Sequence, residues 1–162
     1  MNDDIRQLLN SVNTAIIKIR GAYAAWSKQN NVNYHEMLIM YSLRDNVVCT
    51  QKQICEQYLL PKQTVNNVIT SLRRSGYIVL IPIENNKREK AIVLTESGRE
   101  YVHGFMMSLN QIEENVVREM GEENVRKMTD LALGYGKALD EKMSRAQRKL
   151  EKGDFQNERS GC

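Results

Sequence analysis

A run of amide and basic side chains between Lys62 and Arg74 carries the clearest chemistry in this sequence of 162 residues. Apolar residues recur in it every three or four positions, which predicts a helix with one buried face: Val65, Val68, Ile69 and Leu72. The other face is polar: Lys62, Gln63, Asn66, Asn67, Thr70, Arg73 and Arg74, with Thr64 beside it. Amides both donate and accept hydrogen bonds, which suits adenine edges, while lysine suits a guanine edge or a phosphate. We therefore expect this face to contact DNA, although the hydroxyl of Thr64 can instead bond to its own backbone.

A second basic segment follows the first. Residues 77–83 and 91–94 are rich in β-branched side chains, and the polar residues 84–90 lie between them. This pattern predicts a β-hairpin with a charged tip that contains Lys87, Arg88 and Lys90. Such a tip can keep a hairpin soluble, or it can place an arginine in a narrow minor groove, where the negative potential is concentrated.

Charge is concentrated around these two segments. The whole chain has a formal net charge of only +3. Residues 50–90 contain seven basic and three acidic residues, which leaves +4 in that stretch and the rest nearly neutral. A local basic surface is the expected electrostatic footprint of a DNA-binding protein, although charge alone fits a solvated surface equally well.

The elements that must position these side chains can be read from helix signals. Residues 50–53, Thr-Gln-Lys-Gln, form a capping box that opens a helix expected to bury Ile54 and Cys55. Residues 59–61 make the turn, with Pro61 suited to the first position of the next helix, and Gly76 is suited to end it. Backbone N–H groups at the first helix N-terminus suit a phosphate, together with Thr50, Gln51 and Lys52. Helix, turn, helix and hairpin in this order predict a winged helix-turn-helix.

Further amphipathic helices flank this region and make the predicted fold mainly α. An apolar stripe near the N-terminus comprises Ile5, Leu8, Leu9, Val12, Ile16, Ile19, Tyr23 and Trp26. Asn33 and Glu36 resemble a second capping box, and Val47–Val48 could form a short strand. Thr95 can cap a helix that extends to Met120, and a last helix carries the stripe Val125, Met128, Leu131, Ala132, Tyr135 and Leu139. Stripes of this length need a covering surface.

At this point the sequence resembles the MarR family of bacterial transcription regulators from about residue 5 to residue 143. Residues 54–56, 62–65, 72–78, 86–88 and 94–98 (Ile-Cys-Glu, Lys-Gln-Thr-Val, Leu-Arg-Arg-Ser-Gly-Tyr-Ile, Asn-Lys-Arg and Leu-Thr-Glu-Ser-Gly) follow the family motifs in order and spacing. Asn86 replaces the usual Asp of the wing signature, which puts the charged partner of the wing arginine in doubt. Asn67 replaces a common Arg of the recognition helix, which should change the bases that are read.

The resemblance implies a twofold homodimer on a palindromic DNA site. Its interlocking helices would use Ile5, Leu8, Leu9, Val12, Val125, Met128, Leu131, Tyr135 and Leu139. Many relatives bind a small aromatic or phenolic effector between the dimer helices and the winged lobe. Here that crevice could be lined by Tyr23, Trp26, His35, Met37 and Tyr41, although such residues at helical spacing are more often core. The expected division is 1–32 with 100–152 for dimerisation, 33–99 for DNA binding, and a disordered tail at 153–162.

The remaining composition limits the other functions. The three cysteines, Cys49, Cys55 and Cys162, and the two histidines have no metal-ligand spacing. Redox sensing stays open as an alternative, since Cys49 precedes a helix whose dipole could lower its thiol pKa. A winged interaction module without DNA binding is another alternative. We find no nucleophile–base pair or phosphate loop, so no enzyme and no cofactor is expected. The absence of a signal peptide and of a long apolar run predicts a cytoplasmic protein without a membrane partner.

Overall fold

The computed structural model describes residues 2–44, 49–84 and 86–159. These residues form six helices and a three-stranded antiparallel sheet. The elements in chain order are α1 (Asp3–Gln29), α2 (Tyr34–Leu43), β1 (Cys49–Thr50), α3 (Gln51–Tyr58), α4 (Lys62–Arg74), β2 (Ile78–Ile83), β3 (Asn86–Leu94), α5 (Glu96–Met120) and α6 (Glu122–Arg159). The mainly α, winged helix-turn-helix fold predicted from the sequence is confirmed.

The helix-turn-helix is defined by the signals that the sequence carries. The Thr50 hydroxyl accepts a bond from the Gln53 N–H at 3.2 Å, and the Gln53 side chain accepts one from the Thr50 N–H at 2.8 Å. This reciprocal capping box satisfies two backbone donors at the start of α3. Leu59 ends α3 in the left-handed region at φ 50°. Pro61 is the N-cap of α4 and not its first residue as predicted, so the helix begins one position later.

The core of the winged region forms where three helices and the sheet meet. Helix α4 contributes the buried residues Val65, Ile69 and Leu72, as its periodicity predicts. The other fully buried side chains include Ile39 and Met40 from α2, Ile54 from α3, and Ile78 and Ile92 from the sheet. Burying a side chain of this size stabilises the fold by roughly 1.5–3 kcal/mol, so the apolar face of α4 fixes which face remains outside.

The sheet has the order β1-β3-β2, with β3 in the centre. Strand β1 pairs with β3 through Cys49↔Ile92 and Thr50↔Ala91. The short strand was expected at Val47–Val48, which lie outside the described residues. Strand β2 is an edge strand, with a neighbour on only one side. Pro82 has no backbone N–H to donate, and an edge strand tolerates this because it has no second neighbour that would need the hydrogen bond.

A close junction joins the end of α4 to the start of α5. Gly76 ends the helix region with φ 77°, a conformation that favours glycine. The Thr95 hydroxyl donates to the Gly76 carbonyl at 2.7 Å and accepts from the Gly98 N–H at 3.0 Å, which caps α5 as predicted. The backbone of Gly98 lies so near Tyr77 that an added Cβ would stand 1.8 Å from the Tyr77 carbonyl oxygen. The wing and α5 can therefore meet here only without a side chain at residue 98.

Two helix boundaries differ from the sequence prediction. The Asn33 side chain caps α2 by accepting from the His35 N–H at 2.8 Å. Glu36 does not complete a capping box, because its carboxylate accepts the Tyr101 hydroxyl at 3.1 Å. Helix α6 extends to Arg159 where a disordered tail was expected from residue 153. One glycine, Gly153, costs a helix only about 1 kcal/mol and need not end it; residues 160–162 lie outside the described part.

The chain divides into two compact units, Met1–Leu109 and Asn110–Cys162. In the first unit, the last turns of α1 pack into the winged region: Ser27 is buried, and the Trp26 ring meets the Phe105 ring edge-on at 4.7 Å. This first unit, the winged unit, contains α1, the winged region and α5 as far as Leu109. The expected division into dimerisation and DNA-binding regions stays a prediction. Within the described residues, no helix combines the length and the apolar character needed to cross a membrane.

The Gly98 contact yields a stability prediction. Replacing Gly98 with alanine should force the Tyr77 backbone to move, and we expect a loss of about 1–3 kcal/mol or more in the free energy of unfolding. Urea unfolding at a fixed protein concentration measures it.

Gly104→Ala is the matched control, because a Cβ there would have nothing within 4 Å. It lies in the same helix, and alanine should raise stability by up to about 1 kcal/mol through helix propensity. Equal changes in the two variants would contradict the close approach at Gly98.

Candidate nucleic-acid interface

Helix α4 presents the polar face that the sequence predicts. All seven predicted side chains are exposed: Lys62, Gln63, Asn66, Asn67, Thr70, Arg73 and Arg74. Thr64 is half-buried and therefore less accessible than its neighbours. Because α4 has its apolar face buried in the core, this polar surface is held by the fold and is available to a partner.

Two of these amide side chains are bonded to each other. The Gln63 side-chain nitrogen (Nε2) donates to the Asn67 side-chain oxygen (Oδ1) at 2.8 Å. The residues are four positions apart and so lie on the same face of the helix. The sequence placed both on the polar face but did not predict this bond.

The wing is a longer hairpin than the sequence suggested. Strand β3 begins at Asn86, which pairs with Ile83, so the predicted tip residues Lys87, Arg88 and Lys90 belong to the strand. The next pair in the register is Pro82↔Lys90, which leaves residues 87–89 in a bulge. Polar composition misled the prediction, because ladder hydrogen bonds come from the backbone and not from side chains.

Asn86 has a role in this bulge. Its side-chain oxygen accepts the Glu89 N–H at 3.3 Å. Because Asn and Asp side chains favour such local bonds to backbone N–H groups, Asn86 can organise the wing even though it lacks the charge of aspartate. Residues 87 and 88 therefore lie between the two groups that this bond connects.

The three residues at the start of α3 that were predicted to contact phosphate differ in their exposure. Thr50 is 6% exposed and its hydroxyl is used in the capping box, so its role is to fix the start of the helix. Gln51 is half-buried. Lys52 is exposed, and its ammonium lies 3.9 Å from the Glu56 carboxylate, an ion pair that water screens. Lys52 is the side chain of this group that can reach a phosphate.

Exposed apolar side chains follow both long helices, as the stripes predict. On α1, Ile5 and Leu8 are 52% and 65% exposed, while Leu9 and Val12 are half-buried. On α6, Leu131 is 74% exposed; Met128 and Leu139 are also exposed, and Val125 and Tyr135 are half-buried. Large contiguous apolar surfaces on a folded chain mark interaction sites.

Comparisons with known proteins agree with this geometry. A MarR family model matches residues 31–89, from the approach to α2 through the wing bulge. A solved MarR family regulator from Neisseria meningitidis is 26% identical and superposes with a TM-score of 0.78, covering 90% of this chain and 99% of its own. Residues 31–89 therefore match the MarR family, and the chain has the fold of MarR family regulators. It is a winged-helix, DNA-binding transcription regulator. No curated protein sequence gave a significant match.

Two more distant MarR-fold structures share the architecture. A MarR family transcriptional regulator from Listeria monocytogenes, solved with a 26-mer DNA, is 16% identical, with a TM-score of 0.60 over 75% of this chain and 81% of that one. NadR, solved with 4-hydroxyphenylacetate, is 18% identical, with a TM-score of 0.66 over 74% of this chain and 88% of that one. At these identities the likeness shows the shared fold.

A polar contact that no sequence pattern indicated connects α2 to α5. The Tyr101 ring stacks on the Tyr77 ring at 4.2 Å, and the Tyr101 hydroxyl donates to the Glu36 carboxylate. Burial and the Glu36 charge raise the pKa of Tyr101 to about 12, so it remains a donor at neutral pH. Glu36 and Tyr101 are 65 residues apart in sequence, and no local pattern indicates such a pair.

The residues expected around an effector have different environments. Met37 is 1% exposed and its sulfur lies 3.2 Å from the Ser27 hydroxyl, so it belongs to the core and does not line an open crevice. Trp26 packs on Phe105, and Tyr41 lies under the Arg44 guanidinium at 3.9 Å. Tyr23 and His35 are half-buried. Met37 was assigned incorrectly because a buried helix position and a pocket wall have the same sequence pattern.

Cys49 does not have the properties expected of a reactive thiol. It is buried in β1, and this burial raises its pKa to about 11. The expectation of a lowered pKa is wrong, because the desolvation of a buried thiolate outweighs the favourable helix dipole. Cys55 is half-buried and not fully buried as predicted, and Cys162 lies outside the described residues. In the part of the chain that the structure describes, no group of three or more His, Cys, Asp or Glu side chains could hold a metal ion.

The raised pKa predicts slow chemistry at Cys49. A pKa of about 11 instead of 9.0 lowers the thiolate fraction at neutral pH about a hundredfold. In a Cys55→Ser, Cys162→Ser variant, iodoacetamide should therefore modify the remaining thiol at least a hundredfold more slowly than a free thiol. Mass spectrometry follows the modification.

The same variant in urea is the control, since the unfolded thiol should react at the ordinary rate. The folded rate should rise between pH 7 and 11 as the thiolate forms. Rapid modification of the folded protein at pH 7 would show an accessible thiolate and would restore redox sensing.

Proposed function

We propose that the protein is a dimeric, effector-responsive repressor that binds a palindromic operator. The observation that carries this proposal is helix α4, which exposes a face of polar and basic side chains while its apolar face is buried. A recognition helix of this kind lies in the major groove with its N-terminal residues on base edges. Because chromosomal DNA is cytoplasmic in bacteria, we also propose that location.

The polar and charged side chains on and around α4 have separate roles in this proposal. Gln63 and Asn66, on the first turns of α4, face base edges, while Lys62, Thr70 and Arg74 secure the backbone or a neighbouring base. Lys52 meets a phosphate at the N-terminus of α3, where backbone N–H groups add favourable dipoles. Along the wing bulge, we assign Arg88 to the minor groove, with Lys87 and Lys90 on phosphates.

The dimer follows from the apolar stripes of α1 and α6. A single chain leaves Ile5, Leu8 and Leu131 in water. A second copy supplies an equally apolar surface, and a twofold arrangement covers both sets at once. The two copies of α4 would then address two half-sites of a palindrome, about 34–36 Å or one helical turn apart. Occupying such a site near a promoter blocks transcription.

The effector part of the proposal rests on two supports. A relative of the same fold, NadR, was solved with 4-hydroxyphenylacetate, a phenolic carboxylate. In this chain the partly buried aromatic groups Tyr23, Trp26 and Tyr41, together with His35, could supply stacking and hydrogen bonds to such a molecule. We therefore propose an aromatic or phenolic effector that binds near these residues and lowers operator affinity.

Selection of genomic DNA fragments with the purified protein tests the operator. We expect an inverted repeat with half-site centres about one turn apart. If each dimer makes 6–10 phosphate contacts, affinity should fall by about 10³–10⁵ between 50 and 200 mM salt, because bound phosphates release counterions.

A scrambled fragment of equal length is the control for sequence dependence, and 4-hydroxyphenylacetate added to the operator complex tests the effector class. Affinity that does not change with salt, or equal affinity for both fragments, would leave a winged interaction module without DNA recognition as the better description.

A substitution at the centre of the α6 apolar stripe tests the proposed dimer. Met128→Lys should place a charge in the interface and convert the dimer to monomer or to aggregate, and sedimentation velocity measures the result. Burying an unpaired charge costs several kcal/mol.

Asp130→Lys is the control, because two residues further along the helix rotate by about 200° to the opposite face. It changes the net charge by more than Met128→Lys but should leave the dimer intact. A Met128→Lys variant that sediments as the parent does would place the interface elsewhere.

A further inference from the structure

The bond between Gln63 and Asn67 has a consequence for base recognition, given the DNA binding proposed above. Both side chains are exposed on the first two turns of α4, where a recognition helix meets base edges. The bond from the Gln63 Nε2 to the Asn67 Oδ1 is 2.8 Å long. It forms without DNA and therefore exists before any base is met.

The proposed reading edge of Gln63 requires one geometry of this bond. An amide nitrogen carries two hydrogens, one on the same side as the amide oxygen and one on the opposite side, and the oxygen has two lone pairs. Asn67 must accept the hydrogen on the opposite side, so that the hydrogen beside the oxygen and the oxygen itself remain available. These two groups lie side by side on the amide plane and present one donor and one acceptor.

That pair complements adenine better than the other bases. In the major groove adenine offers the N6 amino donor beside the N7 acceptor, so the Gln63 oxygen can accept from N6 while its nitrogen donates to N7. Guanine offers two acceptors, O6 and N7, and the oxygen of Gln63 would face one of them unfavourably. Cytosine and thymine lack the adjacent donor and acceptor of the purine edge.

We propose that Gln63 reads one adenine in each half-site, and that Asn67 is a positioning residue that holds the Gln63 amide in the reading orientation. A free glutamine side chain loses rotamer freedom when it binds a base, and this loss opposes binding. The bond to Asn67 restricts that freedom beforehand. Asn67 therefore influences the choice of base through Gln63 and not by its own contact.

The test is to measure relative affinity for all four bases at every half-site position, for the parent dimer and five variants. Gln63→Ala should abolish the preference for adenine at one position, a change of roughly five- to a hundredfold in discrimination. Asn67→Ala should weaken the preference at that same position. The double variant should be no worse there than Gln63→Ala, because Asn67 acts through Gln63.

Asn67→Asp separates positioning from direct reading. Aspartate keeps the acceptor for the Gln63 nitrogen but cannot donate to a base. Its charge should lower affinity for all sequences equally, while the adenine preference at the Gln63 position survives. If Asn67 reads a base itself, aspartate should change the preference at a second position.

Asn66→Ala is the matched control on the same exposed face, and it should leave the preference at the Gln63 position unchanged. Circular dichroism should show that all five variants fold, since the substituted side chains are exposed. Loss of preference at two different positions in Gln63→Ala and Asn67→Ala would overturn the proposal. A parent protein without any base preference would instead reject the proposed function itself.

Discussion

The close approach between Gly98 and the Tyr77 backbone is the constraint on which the winged unit depends. The Tyr77 carbonyl accepts the Thr95 N–H at 3.0 Å, while the Thr95 hydroxyl reaches Gly76. These bonds fix three connections of the chain: the exit of α4, the entry to β2 and the start of α5. Because α4 enters this junction directly, the junction and the buried apolar face of α4 together hold the helix against the hairpin.

Sequence periodicity predicted the elements that this junction connects, and local chemistry predicted most of their ends. The capping box at Thr50, the turn before Pro61 and the cap at Thr95 all involve bonds over two to five residues, so a single sequence contains them. The Glu36–Tyr101 bond joins residues 65 positions apart and could not be foreseen. For the same reason, Glu36 was first assigned to the capping of α2.

The features of the candidate site also differ in whether the sequence could predict them. The polar face of α4 was predictable, because it is the complement of an apolar stripe that has to be buried. The bond between Gln63 and Asn67 depends on the rotamers of two long side chains, and the bulge at residues 87–89 depends on backbone pairing. Cys49 illustrates the converse error: its place before a helix suggested a reactive thiol, but strand pairing with Ile92 buries it.

Helix α6 links the stability of the chain to its assembly. Pairs such as Lys127–Glu123, at 2.7 Å, lie four residues apart on its exposed surface and support the helix by only a few tenths of a kcal/mol each. Helices in proteins gain most of their stability from packing an apolar face, and the face that contains Met128 and Leu131 is exposed in one chain. If a second copy covers it, the dimer is both the stable form of this helix and the form that presents two copies of α4. Loss of assembly would then reduce folding stability and two-site DNA binding together, so the two effects must be measured at the same protein concentration.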